Sequence, residues 1–284
     1  MIPSNRVRVG AVGYLNARPL VYGLDERPRF ELRFDVPSVC ARLLHRGAID
    51  VGLIPSIEYL RGGPYAIVPG LAIASHGPVA SVMLYVTKAV GDVRSIAMDT
   101  SSCTSVALTR VLCRQLFRIQ PAIEARGPDL ADMLSRCDAA LVIGDNALFL
   151  DPRRSFSAGG HVEAIDLGEA WKRLTGLPFV YAFWAGLPDV LAAEDVAALQ
   201  RARDEGVRRP EELAQQYLAD APGRQALGAR YLRDNIKYQF GDEERAGLET
   251  FYRYALEAGL VTAARELRFF DAAGAAWAVG STAT

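Results

Sequence analysis

The sequence predicts a two-lobed α/β protein with a ligand cleft between its lobes. Three observations predict it. The first third alternates strand and helix patterns in the order β-α-β-α-β-α, which argues for an open, mostly parallel sheet. A second α/β series starts near residue 95, and long apolar strands stand at both junctions. After Pro188 the pattern becomes a helical tail with little strand signal. The length of 284 residues also suits two lobes better than one core.

Arg6–Val12 reads as a buried strand, with Gly10 and Gly13 placed where backbone must pass closely. Tyr14 and Asn16 follow just beyond its carboxyl end, where open α/β sheets present ligands. Pro19 suits the first turn of a short helix over Ala17–Leu24. Phe30–Val36 alternates at period two and is a strand. Pro37-Ser38 opens a helix through Leu44, and Gly47 stops it. Asp50–Ile54 is a buried strand, and Pro55-Ser56 opens the helix IEYLR, closed by Gly62-Gly63. Leu71–Ser75 and Val79–Val86 are extended, separated by His76-Gly77-Pro78, and polar Thr87–Asp92 follows as a junction.

In the second series, Ser95–Met98 is a strand and Thr104–Phe117 a helix with one apolar face. Ala122–Ala125 is a strand, Asp129–Leu134 a helix, and Cys137–Ile143 a buried strand ending at Gly144-Asp145-Asn146. Residues 151–161 read as a surface loop and Leu167–Thr175 as a helix. Leu177–Ala185 is the natural return strand. Lobe 1 is therefore expected over residues 1–86 plus 186–284 and lobe 2 over 88–180, with crossing strands near 82–88 and 177–185.

The composition, 50% hydrophobic and 23% charged, belongs to a well-packed globular protein. The formal net charge of -1 and the lack of Lys/Arg blocks exclude a field that would favour nucleic acid or an acidic membrane. No apolar run is long enough to span a membrane, and the N-terminus shows no secretory signal. Cys40, Cys103, Cys113 and Cys137 form no CxxC, and His45, His76 and His161 no HExxH. The expectation is a cytoplasmic protein with free thiols and neither metal nor cofactor.

Chemistry can sit at four turns besides the first: Ile54-Pro55-Ser56, the hydroxyl-rich Asp99–Ser105, Ile143-Gly144-Asp145-Asn146, and Gly77-Pro78-Val79-Ala80-Ser81. Helix N-termini offer unpaired N–H groups, and Ser or Thr hydroxyls add donors, so such turns can hold a carboxylate or phosphate without net positive charge. Ser56, Ser102 and Thr104 are equally good helix caps, and Asp145 could be one. One cap needs one hydroxyl, whereas DTSSCTS carries five Ser/Thr. It lacks the glycines and Lys of a P-loop. His45 suits a helix last turn, His76 and His161 read as solvated or packed, and Trp171, Phe183 and Trp184 as core.

GYLNARPLVYGL, DVGLIPSIEYL, GPVASVMLY, DTSSCTSVAL, ALVIGDNAL and LGEAWKRLTGLPFVYAFWA together resemble, in order and spacing, the chorismate dehydratases of the futalosine route to menaquinone. The resemblance runs from about residue 6 to 186. It implies a fold like the type II periplasmic binding proteins, used as a cofactor-free lyase that removes water from chorismate to give 3-[(1-carboxyvinyl)oxy]benzoate. It places Asn16 on the asparagine of the YLN/FLN motif, at the reacting region. An amide is not a base at neutral pH, so the proton acceptor would be a substrate carboxylate or a water. Ser56, Ser81, Ser102, Thr104 and Ser105 would hold carboxylates, and Gly144 and Asp145 would line the cleft wall. Cys103 departs from the SRTS that relatives often carry. Either that Arg is structural in them, or Arg18 compensates here.

Other functions fit less of this pattern. The sister 1,4-dihydroxy-6-naphthoate synthase shares the fold and pathway and uses a second-lobe histidine as base, where this chain has only loop residue His161. A non-catalytic small-carboxylate-binding protein would normally carry an export signal. A ligand-sensing domain would bring a DNA-binding helix-turn-helix, for which the tail is too weakly basic. The sequence leaves the oligomeric state open.

Overall fold

A computed structural model describes residues 6–151 and 162–271 of the chain. The predicted loop at 151–161 and its His161 therefore fall, but for residue 151, outside the described residues.

Two mixed sheets organise the fold. The first contains β1 (Val7–Val12), β2 (Phe30–Asp35), β3 (Val51–Pro55), β4 (Ala66–Ile67), β5 (Ile73–Ser75) and β11 (Phe179–Gly186). Its order is β2-β1-β3-β11-β4, with β5 also paired to β11. The first three strands are parallel, and β11 runs antiparallel to β3. The second contains β6 (Val82–Val86), β7 (Ser95–Asp99), β8 (Ala122–Arg126), β9 (Ala139–Ile143) and β10 (Glu163–Asp166). Its order is β10-β6-β9-β7-β8, parallel among β7, β8 and β9 and antiparallel at β6 and β10. Each sheet thus repeats one plan: parallel strands made by strand–helix units, closed by one antiparallel strand.

Helices α1 (Pro37–His45) and α2 (Glu58–Arg61) belong to the first series, and α3 (Cys103–Leu112), α4 (Leu130–Arg136) and α5 (Asp145–Leu148) to the second. The turn after β1 is a 3₁₀ helix over Leu15–Val21 with Pro19 inside it, not a helix from Ala17. Leu15 lies at its first position and is fully buried. Helix α6 (Leu167–Thr175) precedes β11. The tail carries α7 (Ala193–Gly206), α8 (Pro210–Tyr217), α9 (Gln225–Arg230), which continues as a wider π turn to Asn235, and α10 (Asp242–Glu257).

The expected crossing strands do not bridge the sheets. β6 pairs only with strands of the second sheet, and β11 only with strands of the first. The chain changes sheets in the turn 76–81 and again over 167–178. The two passages lie side by side, since Ser75 is the register partner of Phe179. All eight residues of β11 are buried because it sits inside the first sheet, and that burial is what makes it apolar throughout.

The core is aromatic where the parts meet. Trp171 on α6, Phe179 on β11 and Phe251 on α10 pack edge to face, with centroids 4.9–6.1 Å apart. The Trp171 indole N–H donates to the Pro178 carbonyl at 3.0 Å, so this large side chain is buried with its polar atom satisfied. Burying one such ring contributes about 2–3 kcal/mol, which fixes α10 against β11. Phe183 and Trp184 are likewise core.

Candidate active site

A cavity partly open to solvent lies where the two sheets face each other. Val12, Tyr14, Asn16, Pro37, Pro55, Ile73, Tyr181 and Ala182 line it from the first sheet's side. Val79, Ser81, Val82, Ser102, Ser105, Ile143 and Gly144 line it from the second's. No lysine or arginine is among them. Five of the residues expected at the site, Asn16, Ser81, Ser102, Ser105 and Gly144, are brought together here.

The hydroxyls have defined polarity. Tyr231, on the tail, donates to Ser81 Oγ at 2.7 Å. Ser102 caps α3 by accepting from Ser105 N at 3.4 Å, and it also accepts from Ser105 Oγ at 3.0 Å. Ser81 and Ser102 therefore accept from the protein and keep their own O–H to donate. Asn16 has the opposite polarity. Its Oδ1 is buried and accepts from no protein group. An unpaired buried amide oxygen costs about 1–3 kcal/mol, and its place on a cavity wall marks where a ligand donor belongs.

The Ser81 turn is held under strain. Ala80 has φ +62°, a left-handed conformation unusual for a residue with a Cβ. Asp166 maintains it by accepting from Val79 N at 3.0 Å and Ala80 N at 2.7 Å. The same carboxylate caps α6 through Gly168 N and Glu169 N. Gly144 stands at φ +63°, and a Cβ there would lie 2.9 Å from the Tyr14 ring. Its N–H donates to Ser81 O at 2.8 Å. Glycine is needed here so that Tyr14 of one sheet can cover Gly144 of the other.

The remaining expected ligands do not line the cavity. Ser56 is fully buried and donates to Val180 O at 2.8 Å. Thr104 accepts from Ile57 N at 3.2 Å and lies 3.4 Å from Ser56 Oγ. These two join the second series to the first instead of facing a ligand. Asp145 behaves similarly: it accepts from Leu15 N at 3.2 Å and from the Tyr217 hydroxyl. Burial raises its pKa above the ordinary carboxylate value, partly offset by those bonds. At the start of the short helix α5, the carboxylate thus reaches across to the first lobe's turn.

Position 103 faces Glu58, away from the cavity. Burial, then the Glu58 charge, pushes the Cys103 thiol up to about 11, so it is no nucleophile near neutral pH. Glu58 is also paired with Arg61 at 2.8 Å and His45 at 3.1 Å. Arg18 does not compensate at the cavity. Its guanidinium stacks 4.5 Å from the Phe34 ring and 4.7 Å from that of Tyr217. His76 is bonded to Glu244 of α10.

Sequence reading placed Tyr14 beside Asn16 but missed Tyr181, Tyr231 and Asp166. Asp166 had a signal: Asp-Leu-Gly-Glu is a capping-box pattern. Tyr181 and Tyr231 carry no local signal.

A cleft between two mixed α/β sheets, with a shared helical tail, defines the periplasmic-binding-protein-like class. Solved structures bear this out. The fold resembles a protein from Archaeoglobus fulgidus (TM-score 0.73, 17% identity, 91% of this chain and 100% of that one). It also resembles the periplasmic aliphatic sulphonate binding protein SsuA from Escherichia coli (TM-score 0.59, 18% identity, 91% and 94%). Within that class the chain belongs to the menaquinone biosynthesis family, whose model matches residues 7–257. It is 32% identical over 259 residues to the chorismate dehydratase of Thermus thermophilus, covering 86% of this chain and 93% of the relative. With the chorismate dehydratase of Campylobacter jejuni the identity is 27% over 255 residues, covering 86% and 95%.

Proposed function

We propose that this chain is a chorismate dehydratase, a hydro-lyase of menaquinone biosynthesis that converts chorismate to 3-[(1-carboxyvinyl)oxy]benzoate and water. The observation that carries the site assignment is the opposed polarity of the walls. Ser81 and Ser102 donate from one side, and buried Asn16 Oδ1 awaits a donor on the other. Chorismate offers the complement: carboxylate oxygens that accept, and a ring hydroxyl that donates. The family and the two dehydratase relatives support the same reading.

The reaction loses the ring hydroxyl and the hydrogen on the adjacent ring carbon, which bears the enolpyruvyl ether. Removing that proton and releasing the hydroxyl as water leaves a benzene ring, whose aromaticity drives the step. Asn16 Oδ1 accepts from the leaving hydroxyl and fixes its position. The proton goes to a substrate carboxylate or a water, as no carboxylate or histidine lines the cavity among the described residues. Ser102 and Ser81 hold the carboxylates, Ser105 fixes the Ser102 hydroxyl by donating to it, and Gly144 shapes the wall. Ser56, Thr104 and Asp145 serve closure, joining the parts that surround the ligand.

No described helix is long and apolar enough to cross a membrane. The test is incubation of the purified protein with chorismate, followed by chromatography. The benzoate product is expected. Chorismate returned unchanged would leave a binding protein and overturn the proposal.

A further inference from the structure

The tail brings Tyr231 across to the cavity wall. Tyr231 follows α9 at the start of the π turn and is 2% exposed. Its ring is too deep to reach solvent, yet its hydroxyl ends on Ser81 Oγ at 2.7 Å. Ser81 is itself 2% exposed, and among the described residues its hydroxyl makes no other hydrogen bond. A phenol has one proton, and here it goes to Ser81 Oγ, so the serine keeps its own O–H to donate. Ser81 lines the cavity, where a ligand acceptor can take that proton.

From this geometry we infer that Tyr231 is a positioning residue that sets the hydrogen-bond polarity of Ser81 on the cavity wall. By donating to Ser81 Oγ it occupies that atom as an acceptor and turns the serine O–H toward substrate. Without the phenol the serine hydroxyl loses the bond that fixes its direction, and it is no longer held ready for a substrate carboxylate.

This inference rests on the chorismate reading for its substrate, and the experiment separates the two. Steady-state kinetics with chorismate are measured for the wild type, Tyr231→Phe, Ser81→Ala and the double variant, alongside thermal unfolding. Wild-type turnover tests the function by itself. Tyr231→Phe is expected to lower kcat/KM about 10- to 100-fold, the effect of misdirecting the Ser81 hydrogen bond to a charged carboxylate. The double variant should be no slower than Ser81→Ala alone, because Tyr231 acts through Ser81. A purely structural tyrosine would instead give losses that multiply, and that result would overturn the inference. So would a Tyr231→Phe enzyme within twofold of wild type. If the wild type leaves chorismate untouched, the same cycle is read from calorimetric binding of 3-[(1-carboxyvinyl)oxy]benzoate. Should Tyr231→Phe not fold, 3-fluorotyrosine at 231 keeps the ring and strengthens the donor. A lowered KM at unchanged melting temperature supports the inference, and an unchanged KM overturns it.

Discussion

Replacing Asn16 should stabilise the protein while slowing it. Asn16→Leu keeps the branching at Cγ and removes both polar atoms. Deleting the unpaired Oδ1 relieves about 1–3 kcal/mol of desolvation cost. For a chain of this size that is a rise in melting temperature of roughly 2–12 °C. Activity moves the other way. A neutral hydrogen bond that fixes the hydroxyl for departure is worth about 0.5–1.5 kcal/mol, so turnover should fall roughly 2- to 13-fold. Scanning calorimetry without ligand and single-turnover kinetics with chorismate read the two effects separately. A melting temperature lowered by several degrees would mean that Oδ1 has a protein partner, and unimpaired turnover would mean that it touches nothing that reacts. Either result refutes the reasoning.

Other perturbations test the surrounding frame. Thr104→Val leaves the buried Ile57 N–H without its acceptor; a loss of about 1–3 kcal/mol is expected, seen as a lower urea midpoint with unchanged slope. Gly144→Ala imposes a Cβ at φ +63° against the Tyr14 ring; stability should drop by about 1–3 kcal/mol, and adding Tyr14→Ala should recover the steric part only. Asp145 has a raised pKa in the folded protein. Its contribution to stability is therefore full below about pH 4 and declines as pH rises through the raised value. Melting temperatures between pH 3.5 and 6.5 should show Asp145→Asn with a less negative slope than wild type over that window; parallel curves would contradict the assignment.

Much of the fold was legible because local chemistry marked it. β1, β3 and β9 are apolar runs ended by Gly or Pro, and β2 alternates cleanly. β4 was missed because two residues, Ala66–Ile67, carry no period. β10 was missed because Glu163–Asp166 is a polar edge strand whose only partner is β6. The crossing strands were misassigned for a different reason: an apolar run reports burial, whereas sheet membership depends on partners far away in the chain. The site divides similarly. Asn16, Ser81, Ser102 and Gly144 lie in turns after or before strands, where exposed chemistry is expected. Tyr231 lies 150 residues after Ser81, and nothing local distinguishes a tyrosine that fills core from one that aims its hydroxyl.

The nesting of one sheet within the other has a consequence for how the chain is made. All five strands of the second sheet lie within residues 82–166, so that sheet can close on itself while synthesis is still in progress. The first sheet cannot. Its strand β3 keeps an open edge until β11 emerges about 120 residues later. An unpaired strand edge invites aggregation, and here it must wait for an entire neighbouring sheet to be translated. The half that begins the polypeptide is thus the half that finishes last, and the wall of the substrate cleft is complete only when Ala182 of β11 has left the ribosome.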